Sequence, residues 1–344
     1  MTFDLSKILR PNIAALTPYS SARDEFSGEA SIYLDANENP FNTGHNRYPD
    51  PMQWKVKKKW AAIKNIDKEN ILFGNGSDEV IDLIIRAFCE PKIDNVITLP
   101  PTYGMYEVLA NTNDVKILNI SLLDNYQPNV DEILKAQNSQ TKLLFLCSPN
   151  NPTANSFNAD KIETLIKKFT GIVVIDEAYI DFSSQESWIG RLNEFPNLIV
   201  IQTLSKAYGL AGIRLGACYS STKIISVLNK IKPPYNVNQL TQQTALKALQ
   251  NSIKTNNEIA IIISERNKLK TDLEEISFVV KVYPSDANFL LVKVDNAIVR
   301  YHQLVEYGII VRNRTNQPIC ENCLRFTVGT KEENKKLMKT LKLL

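Results

Sequence analysis

The sequence predicts an α/β fold with a mostly parallel central sheet and a second, smaller α+β domain. Short apolar runs typical of buried strands alternate with stretches of helical period. These runs are Ile71–Phe73, Asn95–Leu99, Lys142–Cys147, Gly171–Ile175 and Leu198–Ile201. Polar or aromatic side chains follow each run closely. Because ligands of open α/β sheets collect at the carboxyl ends of the strands, we expect one functional site along this edge.

Composition restricts the class of protein. The chain has 344 residues, 44% of them hydrophobic, which predicts one large and one small domain. A net charge of +3 indicates neither a nucleic-acid partner nor a membrane surface. No apolar stretch approaches the length of a membrane span, and residues 1–12 lack the core of a signal peptide. We therefore expect a cytoplasmic enzyme.

The five cysteines predict free thiols in a reducing compartment. Cys320 and Cys323 have the spacing of a metal or redox pair, but the chain contains no second pair. The two histidines, His45 and His302, are distant from them in the sequence. The pattern therefore predicts no metal site.

A lysine and an acid follow neighbouring predicted strands. Lys206 comes after the last apolar run and before three glycines, which permit close approach of the backbone to a ligand. Burial beside Arg214 would lower the pKa of this amine and make it nucleophilic toward a carbonyl; a solvated loop lysine is the alternative. Asp176 and Tyr179 follow the preceding run. An acid, a tyrosine and a lysine at one edge supply what a pyridoxal phosphate (PLP) site needs, because the acid keeps the pyridine nitrogen protonated.

Other strand ends carry groups that suit the same site. Residues 74–79 open a helix with glycines and a serine, so the N–H groups and the dipole could bind a phosphate; a simple N-cap is the alternative. Tyr103 follows the next predicted strand, where its ring could stack on a cofactor. Asn151 follows Lys142–Cys147. All these groups are expected at one edge of the sheet.

We predict an arm over residues 1–43 that packs with the small domain or a partner subunit, a large domain over 44–240, and a small domain over 241–344 with a long connecting helix. Arg312 and Arg325 belong to predicted strands of the small domain, where a guanidinium suits a carboxylate or phosphate; a structural ion pair is the alternative. The predicted strands of that domain lie around Phe289–Val292, Ile309–Val311 and Leu324–Val328. Elsewhere we predict a short strand at Tyr33 and a basic helix over Trp54–Asn65 with a solvated face.

Two segments resemble the signature of fold-type I PLP-dependent aminotransferases: D-E-A-Y at 176–179 and S-K-x-x-x-L-x-G-x-R at 205–214. Motifs over nearly the whole chain resemble, more specifically, the histidinol-phosphate aminotransferase family. They include R-P-N-I (10–13), P-Y-S-S-A-R-D-E (18–25), N-R-Y-P-D-P (46–51), G-N-G-S-D-E (74–79), S-P-N-N-P-T (148–153) and C-L-R-F-T-V-G-T (323–330). The resemblance implies the fold-type I architecture and a homodimer with a shared active site. It also implies amino transfer between L-histidinol phosphate and 2-oxoglutarate, giving imidazole acetol phosphate and glutamate in histidine biosynthesis.

The resemblance also implies roles for matching positions. Lys206 would form the Schiff base with PLP and move the proton, and Asp176 would hold the pyridine N–H. Tyr179 and Asn151 would bind the 3-oxygen of the ring, on which Tyr103 would stack. The implied ligands of the cofactor phosphate are Ser77, Asp78, Ser205, Arg214 and the partner subunit's Tyr48.

The substrate side is implied in the same way. Arg312 and Arg325 would bind the phosphate of histidinol phosphate or the carboxylate of glutamate. The other implied pocket residues are Tyr19, Arg23, Asn37 and Tyr48. One position departs from the pattern: Ala154 stands where the family usually has glycine.

Three other functions share parts of this pattern. Threonine-phosphate decarboxylases share the PLP motifs and act on an amino phosphate, but the segments at 18–25 and 46–51 favour the aminotransferase. An aminotransferase with broader use of aromatic amino acids stays open, since pocket shape decides substrate breadth. A PLP-sensing regulatory protein is disfavoured because the sequence contains no evident basic recognition helix.

Overall fold

The computed structural model describes residues 3–18 and 31–344. Its largest feature is a seven-stranded sheet in the order β1-β7-β6-β5-β4-β2-β3. The strands are β1 (Ile71–Asn75), β2 (Asn95–Thr98), β3 (Lys116–Asn119), β4 (Thr141–Cys147), β5 (Ile172–Asp176), β6 (Leu198–Thr203) and β7 (Leu215–Ser220). β7 alone is antiparallel to its neighbours, so the carboxyl ends of β1, β2, β4, β5 and β6 share one edge, here called the carboxyl edge.

Helices cover both faces of this sheet. They are α1 (Pro11–Ala15), α2 (Trp54–Lys64), α3 (Ser77–Phe88), α4 (Met105–Thr112), α5 (Val130–Ala136), α6 (Ala159–Lys168), α7 (Thr222–Ile231) and α8 (Gln239–Ala248). Within β4 and β5, alternate residues belong to two separate apolar clusters. This alternation explains the continuous apolar runs in the sequence, because a strand buried on both faces needs apolar residues at every position.

A second sheet of four antiparallel strands has the order β10-β11-β9-β8. Its strands are β8 (Val279–Val282), β9 (Phe289–Val294), β10 (Arg312–Asn313) and β11 (Cys323–Thr327). The helices α9 (Ser252–Glu274), α10 (Ala297–Glu306) and α11 (Lys331–Leu341) cover its apolar face. The predicted fold class, a mostly parallel sheet with a smaller α+β unit, is thereby confirmed.

Several local predictions differ from the structure. The strand expected over Ile309–Val311 begins only at Arg312, because Gly308 (φ 71°) turns the chain after α10 and Ile310 remains exposed. The strand expected at Tyr33 does not form. In α2 the predicted solvated face is incomplete, since Lys57 is 2% exposed with its Nζ 5.1 Å from the centre of the Trp54 ring.

Two ends of the large unit also differ from the predicted boundaries. The first part of the predicted arm, residues 3–13, packs on the large sheet and not on the small one. Arg10 donates to Glu90, and Phe3 and Ile13 contact the core beside α3. At the other end, Ala245 and Leu249 pack in the core of the large sheet, so this unit extends beyond residue 240.

Candidate active site

Asp176 ends β5 at the centre of the carboxyl edge. Its side chain is buried, its Oδ2 accepts a hydrogen bond from the Tyr106 hydroxyl at 2.7 Å, and its Oδ1 accepts one from the Ala178 N–H at 3.1 Å. Burial raises the pKa of the carboxyl group, and the hydroxyl donor opposes that rise. A buried acid with a fixed orientation at this edge suits a cationic N–H of a ring.

Lys206 follows β6, the strand paired with β5, and reaches the same edge. Its Nζ lies 5.8 Å from the centre of the Tyr179 ring. Burial by the surrounding protein lowers the pKa of the amine, and the positive charge of Arg325 lowers it further. Since only the neutral amine attacks a carbonyl, both effects favour a nucleophilic lysine.

Tyr179 lies beside Lys206, and Asn151 contacts Arg325. Tyr179 is buried and packs edge-on against Phe289 of β9, with ring centres 5.1 Å apart. Burial raises the pKa of its phenol. The Arg325 guanidinium donates to Oδ1 of Asn151. Because this bond uses only the amide oxygen, the amide N–H groups of Asn151 can still donate to a ligand.

The N-terminus of α3 forms a close-packed turn at the edge. Gly76 (φ 81°) is the N-cap, and no side chain caps the helix. A Cβ at Gly76 would lie 2.5 Å from the Arg214 guanidinium, and one at Gly216 would lie 2.3 Å from the Ser77 nitrogen. Only glycine therefore permits this approach of a cation and free N–H groups, which is the arrangement that binds phosphate.

The acid in this turn already has partners. The carboxylate of Asp78 accepts a hydrogen bond from the Tyr103 hydroxyl at 3.0 Å and lies 3.4 Å from Arg214. Asp78 can therefore serve a phosphate through its backbone N–H, while its side chain fixes Tyr103 and Arg214. Nearby, the Thr203 hydroxyl donates to Ser205 Oγ at 3.0 Å. These residues fit the phosphate and ring of PLP.

The small sheet brings cations to this edge. Arg312 of β10 lies directly opposite Arg325 of β11 in the antiparallel register, so the two side chains share one face. On β11, Leu324 and Phe326 face the core of the small sheet, whereas Cys323 packs in the core of the large sheet. Arg325 alternates with Leu324 and Phe326, and its guanidinium lies 5.1 Å from the Phe289 ring centre, so this face is directed at the site.

Two predicted site residues lie elsewhere in the single chain. Asn37 and Tyr48 line a separate cavity of about 450 Å³ beside α8. Tyr48 is exposed and stacks on Tyr235, with ring centres 4.6 Å apart. Tyr19 and Arg23 lie outside the described residues, so their assignment stays a prediction.

Sequence reasoning missed two residues of the site, Tyr106 and Arg314, and the buried acid Glu177 beside Asp176. Tyr106 holds Asp176, and Glu177, also buried, accepts hydrogen bonds from the Trp188 N–H and the Gln202 amide. Arg314 lies two positions after Arg312. Only this last residue left a signal, the R-N-R spacing that places two arginines on one strand face.

The described residues contain no helix long and apolar enough to cross a membrane. Within the same part of the chain, no group of three or more histidines, cysteines or acids could hold a metal ion. All five cysteines are buried free thiols.

Comparisons with known proteins identify the family of the chain. Residues 33–341 match the family "Aminotransferase class I and II". The chain is 60% identical to a histidinol-phosphate aminotransferase of Flavobacterium johnsoniae, and the match covers 100% of this chain and 99% of the relative. It is 59% identical to the histidinol-phosphate aminotransferase of Christiangramia forsetii, over 99% of this chain and 98% of that relative. A crystal structure of the Sinorhizobium meliloti histidinol-phosphate aminotransferase with pyridoxal-5'-phosphate has a TM-score of 0.80 at 23% identity and covers 86% of this chain and 82% of that one; it supports the fold. The chain therefore belongs to the class I and II aminotransferase family and, within it, to the histidinol-phosphate aminotransferases.

Proposed function

We propose that the protein transfers the amino group of L-histidinol phosphate to 2-oxoglutarate, giving imidazole acetol phosphate and glutamate, as a reversible step of histidine biosynthesis. The observation that carries the proposal is the position of Lys206 at the carboxyl edge, after the strand that pairs with the one ending in Asp176 and with its Nζ 5.8 Å from the Tyr179 ring centre. The charges of Asp176 and of Arg325 in the small sheet both act on this amine. An amine of lowered pKa beside a cation suits a substrate that brings an anion. The full-length identity to named histidinol-phosphate aminotransferases supports the same reaction.

The residues of the carboxyl edge fit PLP, the cofactor of this family. When bound, PLP supplies the electron sink that transamination requires. Asp176 would face the pyridine nitrogen, Tyr179 and Asn151 the 3-oxygen, and Tyr103 the ring. The phosphate would lie at the start of α3, with donors from Ser77, the Asp78 backbone, Ser205 and Arg214.

Lys206 would serve as the proton carrier of the reaction. As a neutral amine it can accept a proton from the substrate carbon, and as an ammonium it can return one to the cofactor carbon. Burial and the positive charge of Arg325 lower the pKa of Lys206, so a larger fraction of this amine is neutral than of a solvated lysine.

One anion pocket would serve both substrates. Histidinol phosphate has no carboxylate, so its phosphate would occupy the place that the carboxylate of glutamate takes in the other half-reaction. Arg312 and Arg325 are the proposed cations, because their side chains share a strand face at the site. We keep Tyr19 and Arg23 as predicted residues of the same pocket, whereas Asn37 lines the separate cavity beside α8.

We further propose a cytoplasmic homodimer in which the partner subunit's Tyr48 reaches the cofactor phosphate. Tyr48 is exposed on this chain, and so are Ile32, Leu34 and Phe41 of the neighbouring segment. Such a group of exposed apolar side chains is typical of a subunit interface. For the three parts of the chain we keep the predicted first boundary after residue 43 and move the second from residue 240 toward residue 250, because Ala245 and Leu249 pack in the core of the large sheet.

The test is an absorbance spectrum of the PLP-loaded protein before and after histidinol phosphate is added, with Lys206→Ala beside it. The wild type should show a visible band that histidinol phosphate removes and 2-oxoglutarate restores. Lys206→Ala should bind PLP without that band and lose about 10²- to 10⁴-fold in rate. The control Lys206→Arg keeps the positive charge but cannot supply a neutral amine.

A wild-type protein without a visible band would refute the role of Lys206. Release of carbon dioxide from threonine phosphate, with no exchange of the amino group, would reassign the protein to the decarboxylases.

A further inference from the structure

Arg314 belongs to the same face of the small sheet as Arg312 and Arg325. Its backbone N–H donates to the Cys323 carbonyl at 2.8 Å, which continues the ladder that pairs Arg312 with Arg325. Residues two apart on a strand point to the same side. The three residues Arg312, Arg314 and Arg325, here called the arginine cluster, therefore present their side chains together at the active site.

The guanidinium of Arg314 has no partner among the described residues. Its side chain is half-buried, and its buried Nε makes no hydrogen bond. The pKa of Arg314 is lowered to about 10, first by burial and then by the positive charges of Arg325 and Arg312. Among the residues that the structure describes, no Asp or Glu is one of the groups that act on it. Burying a charge without a counter-ion is costly, so this arrangement indicates that an anion binds there.

The number of charges indicates which anion. A carboxylate carries one negative charge, and a single guanidinium can satisfy both of its oxygens. A phosphate monoester carries about −1.5 to −2 at pH 7 and has three acceptor oxygens. Arg312 and Arg325 suffice for the carboxylate of glutamate, whereas a third guanidinium matches the additional charge and oxygen of a phosphate.

We propose that Arg314 is a specificity-determining residue that binds the phosphate of the amino-phosphate substrate and contributes little to binding of glutamate. This inference rests on the proposed shared anion pocket of Arg312 and Arg325. It adds to that pocket a residue that strengthens binding of the phosphate substrate and not of glutamate.

The experiment measures both half-reactions of PLP-loaded Arg314→Gln and the wild type. The KM for histidinol phosphate should rise about tenfold to a hundredfold, the range that loss of one charge-assisted hydrogen bond produces. The KM for glutamate should change less than about threefold, and kcat should change little in either direction, because Arg314 touches no reacting atom. Calorimetry with inorganic phosphate on the same loaded proteins should show the same weakening without any turnover.

Arg314→Lys guards against a variant that fails to fold. It keeps the charge and loses the planar fork, so the KM for histidinol phosphate alone should rise by a smaller factor. The matched control is Lys335→Gln, which removes an exposed positive charge from α11 and should leave both KM values unchanged.

Equal losses for both substrates, or no change for either, would overturn the inference. Arg325→Gln separates this failure from that of the shared pocket. If Arg325→Gln raises both KM values and Arg314→Gln raises neither, only the assignment of Arg314 is wrong. If Arg325→Gln also changes neither, the shared pocket and the role of Arg314 fail together.

Discussion

The carboxyl edge and the arginine cluster lie on facing sheets and differ in how their charges are compensated. At the edge, both acids have partners within the chain: Asp176 accepts from Tyr106, and Asp78 holds Arg214 and Tyr103. In the cluster, the guanidinium of Arg314 has no hydrogen-bond partner within residues 3–18 and 31–344, and over the same ranges that of Arg325 donates only to the neutral amide of Asn151.

This difference indicates two kinds of site. The edge is preorganised, since its side chains are held before any ligand binds, as suits a resident cofactor. The cluster concentrates positive charge, and none of its arginines forms an ion pair with an acid of the described ranges, so binding of an anion relieves the electrostatic cost. The preorganised edge would suit a cofactor that stays bound, and the arginine cluster would suit anionic substrates that bind and leave.

The largest expected effect follows from removing the negative charge of Asp176 at the carboxyl edge. Asp176→Asn retains the size and hydrogen-bonding capacity but removes the negative charge that would keep the pyridine nitrogen protonated. We expect kcat to fall about 10²- to 10⁴-fold in both half-reactions, a range typical of positioned acids and bases. Tyr106→Phe is the control, because it removes the hydroxyl donor and keeps the charge, and it should cost about tenfold or less. Equal effects of the two variants would show that orientation, not charge, matters.

A smaller effect, on the pH dependence of stability, is expected from the neighbouring acid, Glu177, which is fully buried and contacts only the protein. Burial raises the pKa of Glu177 to about 7, although the Ser187 hydroxyl and other donors oppose it. Between pH 4.5 and 7 the folded state binds a proton that the unfolded state lacks. Stability from this group is therefore complete below the unfolded pKa and is lost as pH rises through 7, by on the order of 3 kcal/mol.

Glu177→Gln tests this expectation, because it removes the titration. Thermal unfolding of the apoprotein at pH 5 and pH 8 should show a larger loss of stability for the wild type than for the variant. Parallel pH profiles would contradict the assignment of the raised pKa to Glu177.

The smallest effect concerns the turn that joins the two regions. Ala154 has φ 68°, and its carbonyl accepts the Asp286 N–H at 2.8 Å just before β9. The left-handed conformation costs an L-residue about 1–2 kcal/mol, whereas glycine adopts it freely at an entropic cost of about 0.5–1 kcal/mol. Ala154→Gly should therefore stabilise the fold by less than about 1 kcal/mol.

The control is Ala287→Gly in the same buried cluster, a residue without positive φ. It should destabilise by about 0.5–1 kcal/mol, since glycine there gains no relief of strain. Unfolding midpoints of both variants decide the matter. A loss of stability in Ala154→Gly would mean that packing of the methyl group outweighs the strain.

The sequence by itself predicted the large sheet and its edge. Strands buried on both faces must be apolar throughout, so Gly171–Ile175 and Leu198–Ile201 were visible as runs, and Asp176 and Lys206 follow them by position alone. Parallel strands bring their ends to one edge, which made the grouping of these residues predictable. The strand predicted over Ile309–Val311 begins three residues later, at Arg312. A strand of only two residues is too short to show the alternating pattern by which strands are predicted.

Only the tertiary structure decided which residues complete the site. Tyr106 contacts Asp176 across 70 positions of the chain, and Arg325 contacts Asn151 across 174. Leu324 and Phe326 bury one face of β11 in the core of the small sheet. The opposite face, which carries Arg325, is therefore the one directed at the large sheet. Local sequence patterns specify the helices and strands, because hydrophobic period and intrinsic propensity act over a few residues. The partners of a charged side chain depend on how these helices and strands pack against one another, and no local pattern contains that information.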